Sequence, residues 1–336
     1  AVDALTASGF INYFGLQRFG THAIPTHAVG AALLRGAWSE AVELILRPRE
    51  ADKADAAAAR AVYKETGDAA AALKRMPHWC VAERGLLEGL VRVKGKDLVG
   101  ALGGIPRPTR TMYVHAYQSY LWNRAASERV RLHGIERAVA GDLVVDTGCA
   151  EGIVQSDDEE SEDAIFSSVR EVTPEEASAG VFSITDVVLP LPGSRVIYSK
   201  NLKVLYDNMC KADGVQLVGF AHAVKEYSFG FLTGAYRRLL IKTDDVKFSF
   251  ARYSDPQMDL TETDLSRIAS GPSMLDVSHV ADQLNAGKFL ALRLTFALPT
   301  SSYATMALRE LMKSTTNSKV HTLMSRASES ITTSST

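Results

Sequence analysis

The chain has 336 residues, 46% of them hydrophobic and 23% charged, with a net charge of −2. That length predicts two or three domains of roughly 100–200 residues, and no apolar run approaches the ~20 residues of a membrane-spanning helix. Three scattered cysteines (Cys80, Cys149, Cys210) without a Cys-x-x-Cys pair, and eight histidines without an HExxH pattern, argue against a disulfide framework and a structural zinc site.

In chain order, residues 1–8 read as the end of a helix entering Gly9. The run Asn12-Tyr13-Phe14-Gly15-Leu16-Gln17-Arg18-Phe19-Gly20 follows, and its composition is unusual. A ring can stack on a nucleobase, an arginine can hold a phosphate, and glycine lets the backbone turn. A packed core has little use for Asn, Gln and Arg so close together, because each buried polar group needs a partner. The plain alternative is a tight turn with two aromatic anchors.

Residues 29–34 read as helix stopping at Gly36. Trp38, Val42, Ile45 and Leu46 share one face of a second helix over 38–46, ended by Pro48. The alanine-rich stretch 51–65 stops near Gly67, and Asp68 is placed to cap a helix reaching Arg75. The segment 105–108, Ile-Pro-Arg-Pro, reads as a stiff break. Over 111–132 Tyr113, Tyr117, Tyr120 and Leu121 form one apolar stripe, with His115, Gln118 and Arg124 away from it, and Gly134 closes the helix.

From Gly141 the character changes. Residues 142–145 read as strand. The acidic run 157–163, six acids in seven residues, reads as a solvated loop; without it the chain carries about +4, which permits a positive working face. Residues 181–189 read as extended, 189–193 as a turn, 202–211 as helix, and 239–241 and 246–253 as strands, with 254–288 irregular. Leu290, Leu292, Leu294, Phe296 and Leu298 alternate with Ala291, Arg293, Thr295 and Ala297, a strand ended by Pro299. Ser301 or Ser302 is expected to cap a helix over 303–313, and the Ser/Thr-rich remainder reads as a tail.

The run at 12–20 resembles the NYFGxQRFG signature of the TruD-type RNA pseudouridine synthases at every fixed position. Four further segments resemble that family in its order: Met112 to Asn123, Val187 to Gly193, Gly234-Ala235-Tyr236-Arg237-Arg238, and Phe296 to Leu311. Arg47-Pro48-Arg49 is closest to the family's eukaryotic branch. The resemblance covers about residues 9–313.

The resemblance implies isomerisation of uridine to pseudouridine inside RNA, with tRNA foremost among the expected substrates, and with no metal or organic cofactor and no membrane partner. The base would be detached from C1′, rotated and rejoined through C5, with an aspartate of a Gly-x-Lys-Asp motif as the essential group. Unstacking the target base costs a few kcal/mol, and stacking on an aromatic ring recovers roughly 1–3. Carried over, Asn12 would orient that aspartate and Phe14 would stack on the flipped uracil. Gln17 and Arg18 would organise the pocket wall or a flanking phosphate, and Gly15 and Gly20 would shape the loop.

The fold implied is α+β: a catalytic domain with a mixed, largely antiparallel sheet, interrupted by a large α/β insertion domain. Residues 1–28 and 241–316 would be catalytic, 29–240 the insertion, and 317–336 a disordered tail. In the family the aspartate motif lies upstream of the signature, whereas only 11 residues precede Asn12 here and they lack it. The N-terminal part of the catalytic domain is therefore expected to be missing, and this chain alone to be inactive. Gly95-Lys96-Asp97 imitates the motif in the wrong place, so Asp97 is expected to be an ordinary surface carboxylate.

Arg107, Arg110, Arg124, Arg237 and Arg238 could line an RNA track, since phosphate contacts dominate nucleic-acid affinity; taken singly, each reads better as a solvated basic surface residue. Tyr303 and Arg309, in the last matched segment, read first as packing and capping residues, and Tyr303 is also a candidate for RNA binding. Arg293 could reach the site or simply blunt its strand face. The competing function is a non-catalytic RNA-binding or assembly factor on the same scaffold. The expected setting is intracellular: cytosol, nucleus or mitochondrion.

Overall fold

The computed structural model describes residues 2–20, 23–50, 52–145, 166, 168–219, 221–255, 260, 264–270, 287–317 and 320. The helices are α1 (Val2–Ser8), α2 (Leu16–Phe19), α3 (Thr26–Leu34), α4 (Trp38–Leu46), α5 (Ala54–Thr66), α6 (Ala69–Arg75), α7 (Val81–Arg92), α8 (Leu98–Leu102), α9 (Arg107–His133), α10 (Pro174–Ala179), α11 (Lys203–Ala212), α12 (Asp264–Ser270) and α13 (Ala304–Met312). The strands are β1 (Phe10–Ile11), β2 (Leu143–Val145), β3 (Val169–Glu171), β4 (Val187–Leu191), β5 (Ala235–Arg238), β6 (Leu240–Ile241), β7 (Asp244–Tyr253) and β8 (Phe289–Ala297). The chain forms two compact units, Ala1–Ser8 with Lys242–Leu298, and Gly9–Ile241 with Pro299–Thr336.

In the larger unit the core is organised by α9. Tyr117, Leu121 and Trp122 are fully buried on it, with Tyr113 at 9% exposure. The helix begins a turn earlier than the Ile-Pro-Arg-Pro reading allowed. Pro108 sits inside its first turn, where a missing N–H costs no helical bond. Helix α3 lies directly against α9. A Cβ on Gly30 would come within 2.0 Å of the Tyr113 carbonyl oxygen, so the absence of a side chain sets that close approach. Asp68 caps α6 as expected, its Oδ1 accepting from Ala71 N at 2.9 Å. Helix α7 was not singled out in the sequence, yet it buries Leu86, Leu87 and Leu90.

The sheet of this unit runs β3-β2-β4-β5, every pair antiparallel. Strand β4 continues through Pro190 to Leu191, where the sequence suggested a turn. Of β4, strand β2 meets only Val187 and Val188, so Pro190 faces β5 alone and its missing N–H breaks no ladder on the other side. A second small ladder pairs β1 with β6, Phe10 opposite Ile241 and Ile11 opposite Leu240. Helix α13 is not capped by serine: its N-cap is Tyr303, with no side-chain bond. Ser301 adopts φ +61°, and Ser302 Oγ is buried without a partner.

In the smaller unit β7 and β8 pair antiparallel from Lys247↔Thr295 to Tyr253↔Phe289. The alternation read in the sequence is real, but its apolar face is open: Phe250 is 65% exposed and Leu290 57%. Arg293 donates to the Leu260 carbonyl at 2.8 Å. The acidic run 157–163 and the tail beyond 320 lie outside the described residues. Among the described residues, no helix is long and apolar enough to cross a membrane.

Candidate functional site

Strand β1 delivers Asn12 into the larger unit, where its N–H donates to the Leu239 carbonyl at 2.9 Å. Asn12 is 3% exposed and its neighbour two residues on, Phe14, 7%. The Phe14 main chain is held by one side chain. Its N–H donates to Asn123 Oδ1 at 2.9 Å, and its carbonyl accepts from Asn123 Nδ2 at 3.0 Å. The Phe14 ring meets Trp122 edge-on, centroids 5.8 Å apart, and Tyr303 at 6.0 Å. Trp122 is itself anchored, its indole N–H donating to the Leu189 carbonyl at 3.1 Å.

Arg237, on β5, closes the cluster. Its Nε donates to the Asn12 carbonyl at 2.8 Å and its Nη2 to Asn12 Oδ1 at 2.7 Å. Nη1 donates to the Ser301 carbonyl at 2.5 Å. The guanidinium carbon lies 4.0 Å from the Phe14 ring centroid, a cation–π contact. Arg18 sits 5.6 Å from the same ring. Burial lowers the Arg237 pKa to about 10, with the Tyr303 hydroxyl opposing the shift and the Arg18 charge adding to it. At neutral pH it remains a cation, and no carboxylate among the described residues pairs with it.

Phe14, Arg18 and Arg237 from this cluster line a cavity of about 340 Å³ together with His115, Gln118 and Tyr303. Its volume lies at the small end of the ~300–1,000 Å³ usual for ligand pockets. His115 and Gln118 are linked on α9, Nδ1 to Oε1 at 2.8 Å, and Gln118 Nε2 donates to the Pro192 carbonyl at 2.6 Å. Two buried atoms of the lining have no partner, Arg18 Nε and Ser302 Oγ. A wall with a buried cation, an unsatisfied donor and an aromatic ring suits a planar, polar ligand carrying negative charge nearby.

The other residues of the signature lie around this centre. Gln17 is exposed, its Nε2 3.4 Å from Thr305 Oγ1. Gly15 is buried, and a Cβ there would press on Thr305 and Tyr303 at 3.1 and 3.3 Å. Gly20 ends the short helix α2 at φ +77°. Of the basic candidates, Arg237 is buried rather than displayed. Arg110 is committed to Glu226 by two 3.1 Å bonds. Arg238 donates to the Thr185 carbonyl at 2.6 Å, while Arg124 donates to Tyr120 Oη at 3.0 Å and stays exposed, as does Arg107. Arg309 lines a neighbouring cavity with Phe14 and Phe19. Asp97 is exposed, and beyond the plain surface carboxylate expected of it, it caps α8, its Oδ1 accepting from Gly100 N at 2.9 Å.

The sequence reading passed over Trp122, Asn123 and Ser301 as site residues. An asparagine within an otherwise amphipathic helix was the available signal for Asn123. Ser301 acts through its backbone, which no side-chain pattern reveals.

The family model for tRNA pseudouridine synthase D (TruD) matches residues 1–311. The chain belongs to the TruD family. It is 39% identical over 324 residues to the mouse pseudouridylate synthase 7 homolog, covering 96% of this chain and 44% of that protein. It is also 39% identical to the multisubstrate pseudouridine synthase 7 of Schizosaccharomyces pombe, covering 95% of this chain and 46% of that one. Among solved structures, a TruD described as a putative tRNA pseudouridine synthase D from Methanosarcina mazei superposes with a TM-score of 0.64 at 28% identity. That match covers 93% of this chain and 63% of the other. The chain thus spans less than half the length of these two curated relatives, and the TruD signature at 12–20 lies within the matched region.

Proposed function

We propose that the 336 residues carry one wall of a uridine-isomerising site that acts on RNA, with tRNA as the expected substrate. The observation that carries this reading is the Asn12–Arg237–Phe14 cluster beside a 340 Å³ cavity that Phe14 and Arg237 line, with no carboxylate among the described lining residues. The uracil would lie in the cavity with its edges toward His115, Gln118 and Arg18. The essential aspartate would come from a Gly-x-Lys-Asp segment outside these residues, so the chain by itself completes no turnover. No cofactor takes part in this reading. The thiols Cys80 and Cys210, free and buried, are compatible with an intracellular, reducing setting.

The test is pseudouridine formation in a uridine-containing tRNA transcript, read by mass spectrometry of digested RNA. The chain alone is expected to bind the RNA without forming pseudouridine. Adding the family's Gly-x-Lys-Asp segment, in the same chain or as a second one, is expected to restore turnover. Turnover by the chain alone would place the catalytic carboxylate within these residues. RNA binding without turnover after complementation would favour the non-catalytic RNA-binding role.

A further inference from the structure

Arg237 spends two of its donors on a single residue, Asn12, and both acceptors are oxygens. An asparagine amide has an oxygen end and a nitrogen end of nearly equal shape, and its orientation is set by what it faces. A guanidinium can only donate. With Nη2 at 2.7 Å, the oxygen end must face Arg237, because the flipped amide would oppose two donors in a buried place. The nitrogen end is thereby turned away. Among the described residues Asn12 Nδ2 has no hydrogen-bond partner, and it is not one of the sealed, unpartnered atoms of the interior.

We infer that Arg237 is a positioning residue of the site. It fixes the Asn12 amide in the orientation that presents Nδ2 as a donor, and it holds the Phe14 ring beneath its own plane. This rests on the pseudouridine synthase reading for its consequence, though not for its geometry. The acceptor that Nδ2 meets in the working complex is a carboxylate or carbonyl oxygen. Arginine suits the task where lysine does not, since one planar group must reach the main-chain oxygen, the side-chain oxygen and the Ser301 carbonyl together.

Three single variants and one double variant test this. In the ¹⁵N-labelled chain, the Asn12 side-chain NH₂ resonances, assigned by their loss in Asn12→Ala, are expected to shift and broaden in Arg237→Lys. Unmoved resonances in a folded Arg237→Lys protein would overturn the inference whatever the enzyme assay shows. Asn12→Asp keeps an oxygen toward Arg237 and adds a charge pair, so the melting temperature should hold or rise. It removes the Nδ2 donor, so turnover in the complemented protein should fall at least 100-fold, with KM changed less than threefold. Full activity in Asn12→Asp would refute the role, and it decides the matter even where Arg237→Lys does not fold. Arg237→Lys combined with Asn12→Ala should be no slower than Asn12→Ala alone; additive losses would assign Arg237 a separate task. A complemented protein without any turnover counts against the activity reading only, because the resonances decide the positioning role independently.

Discussion

Asn123 grips Phe14 across 109 positions of sequence, its amide accepting from the Phe14 N–H at 2.9 Å and donating to the Phe14 carbonyl at 3.0 Å. One side chain thus does for the signature loop what a neighbouring strand would do. The helix α9 that carries Asn123 also carries Trp122, whose ring meets Phe14 edge-on, so the loop is held by main chain and ring together.

Replacing Asn123 by alanine leaves both Phe14 backbone groups without that partner. An unsatisfied buried group costs about 1–3 kcal/mol. Asn123→Ala is expected to destabilise the chain by about that amount and, on the proposed function, to weaken RNA binding. Asn123→Asp, which keeps the acceptor and loses the donor, should fall between the two. Urea denaturation and a filter-binding titration measure these; an alanine variant equal to wild type in both would show that the loop holds without the amide.

Arg129 and Asp142 form a buried pair, only 0% and 1% exposed, with Nη2 to Oδ2 at 2.7 Å. Arg129 also donates to the Gly134 and Arg137 carbonyls, and Asp142 accepts from Val139 N. The pair ties the end of α9 to the start of β2. Breaking a buried pair from one side costs about 3–5 kcal/mol, because the remaining charge is stranded. Asp142→Asn is expected to lower the unfolding free energy by about that amount in chemical denaturation. A loss under 1 kcal/mol would mean that the carbonyls alone satisfy the guanidinium.

His27 stacks on Tyr120, centroids 4.3 Å apart and planes 3° from parallel, and its Nδ1 is buried without a partner. Burial lowers its pKa below the ordinary 6.5, against the attraction of Asp213. The unfolded chain therefore binds more protons there than the folded one below about pH 6.5. The stability that the neutral ring contributes is present above that pH and is lost as the pH falls. His27→Phe, which preserves the stack, should unfold at a urea midpoint that changes less between pH 7.5 and pH 5. An equal change in both proteins would locate the acid sensitivity elsewhere.

Local physics was legible wherever it acted alone. The single face of Trp38, Val42, Ile45 and Leu46 predicted α4, and Asp68 marked the start of α6. The stripe through Tyr113, Tyr117 and Leu121 predicted the central helix, because one apolar side of a helix must be buried somewhere. Pro190 and Ser302 misled for the same reason in reverse. Proline reads as a breaker until a strand is seen to have no neighbour on that side. A serine reads as a cap until the helix is seen to start one residue later, with the serine hydroxyl buried and unpartnered.

By itself, the sequence determined the family and the signature loop, since residue identities at fixed spacing need no coordinates to be recognised. It also determined most helices, whose bonds are local and whose periodicity is written in neighbouring residues. Only the tertiary structure decided what Arg237 does. In the sequence it was one basic residue among five; in the fold it is buried over Phe14, 225 positions from Asn12, whose amide it orients. Contacts at that separation depend on how β1, β5 and α9 pack, and a side chain's burial is a property of that packing rather than of its own type.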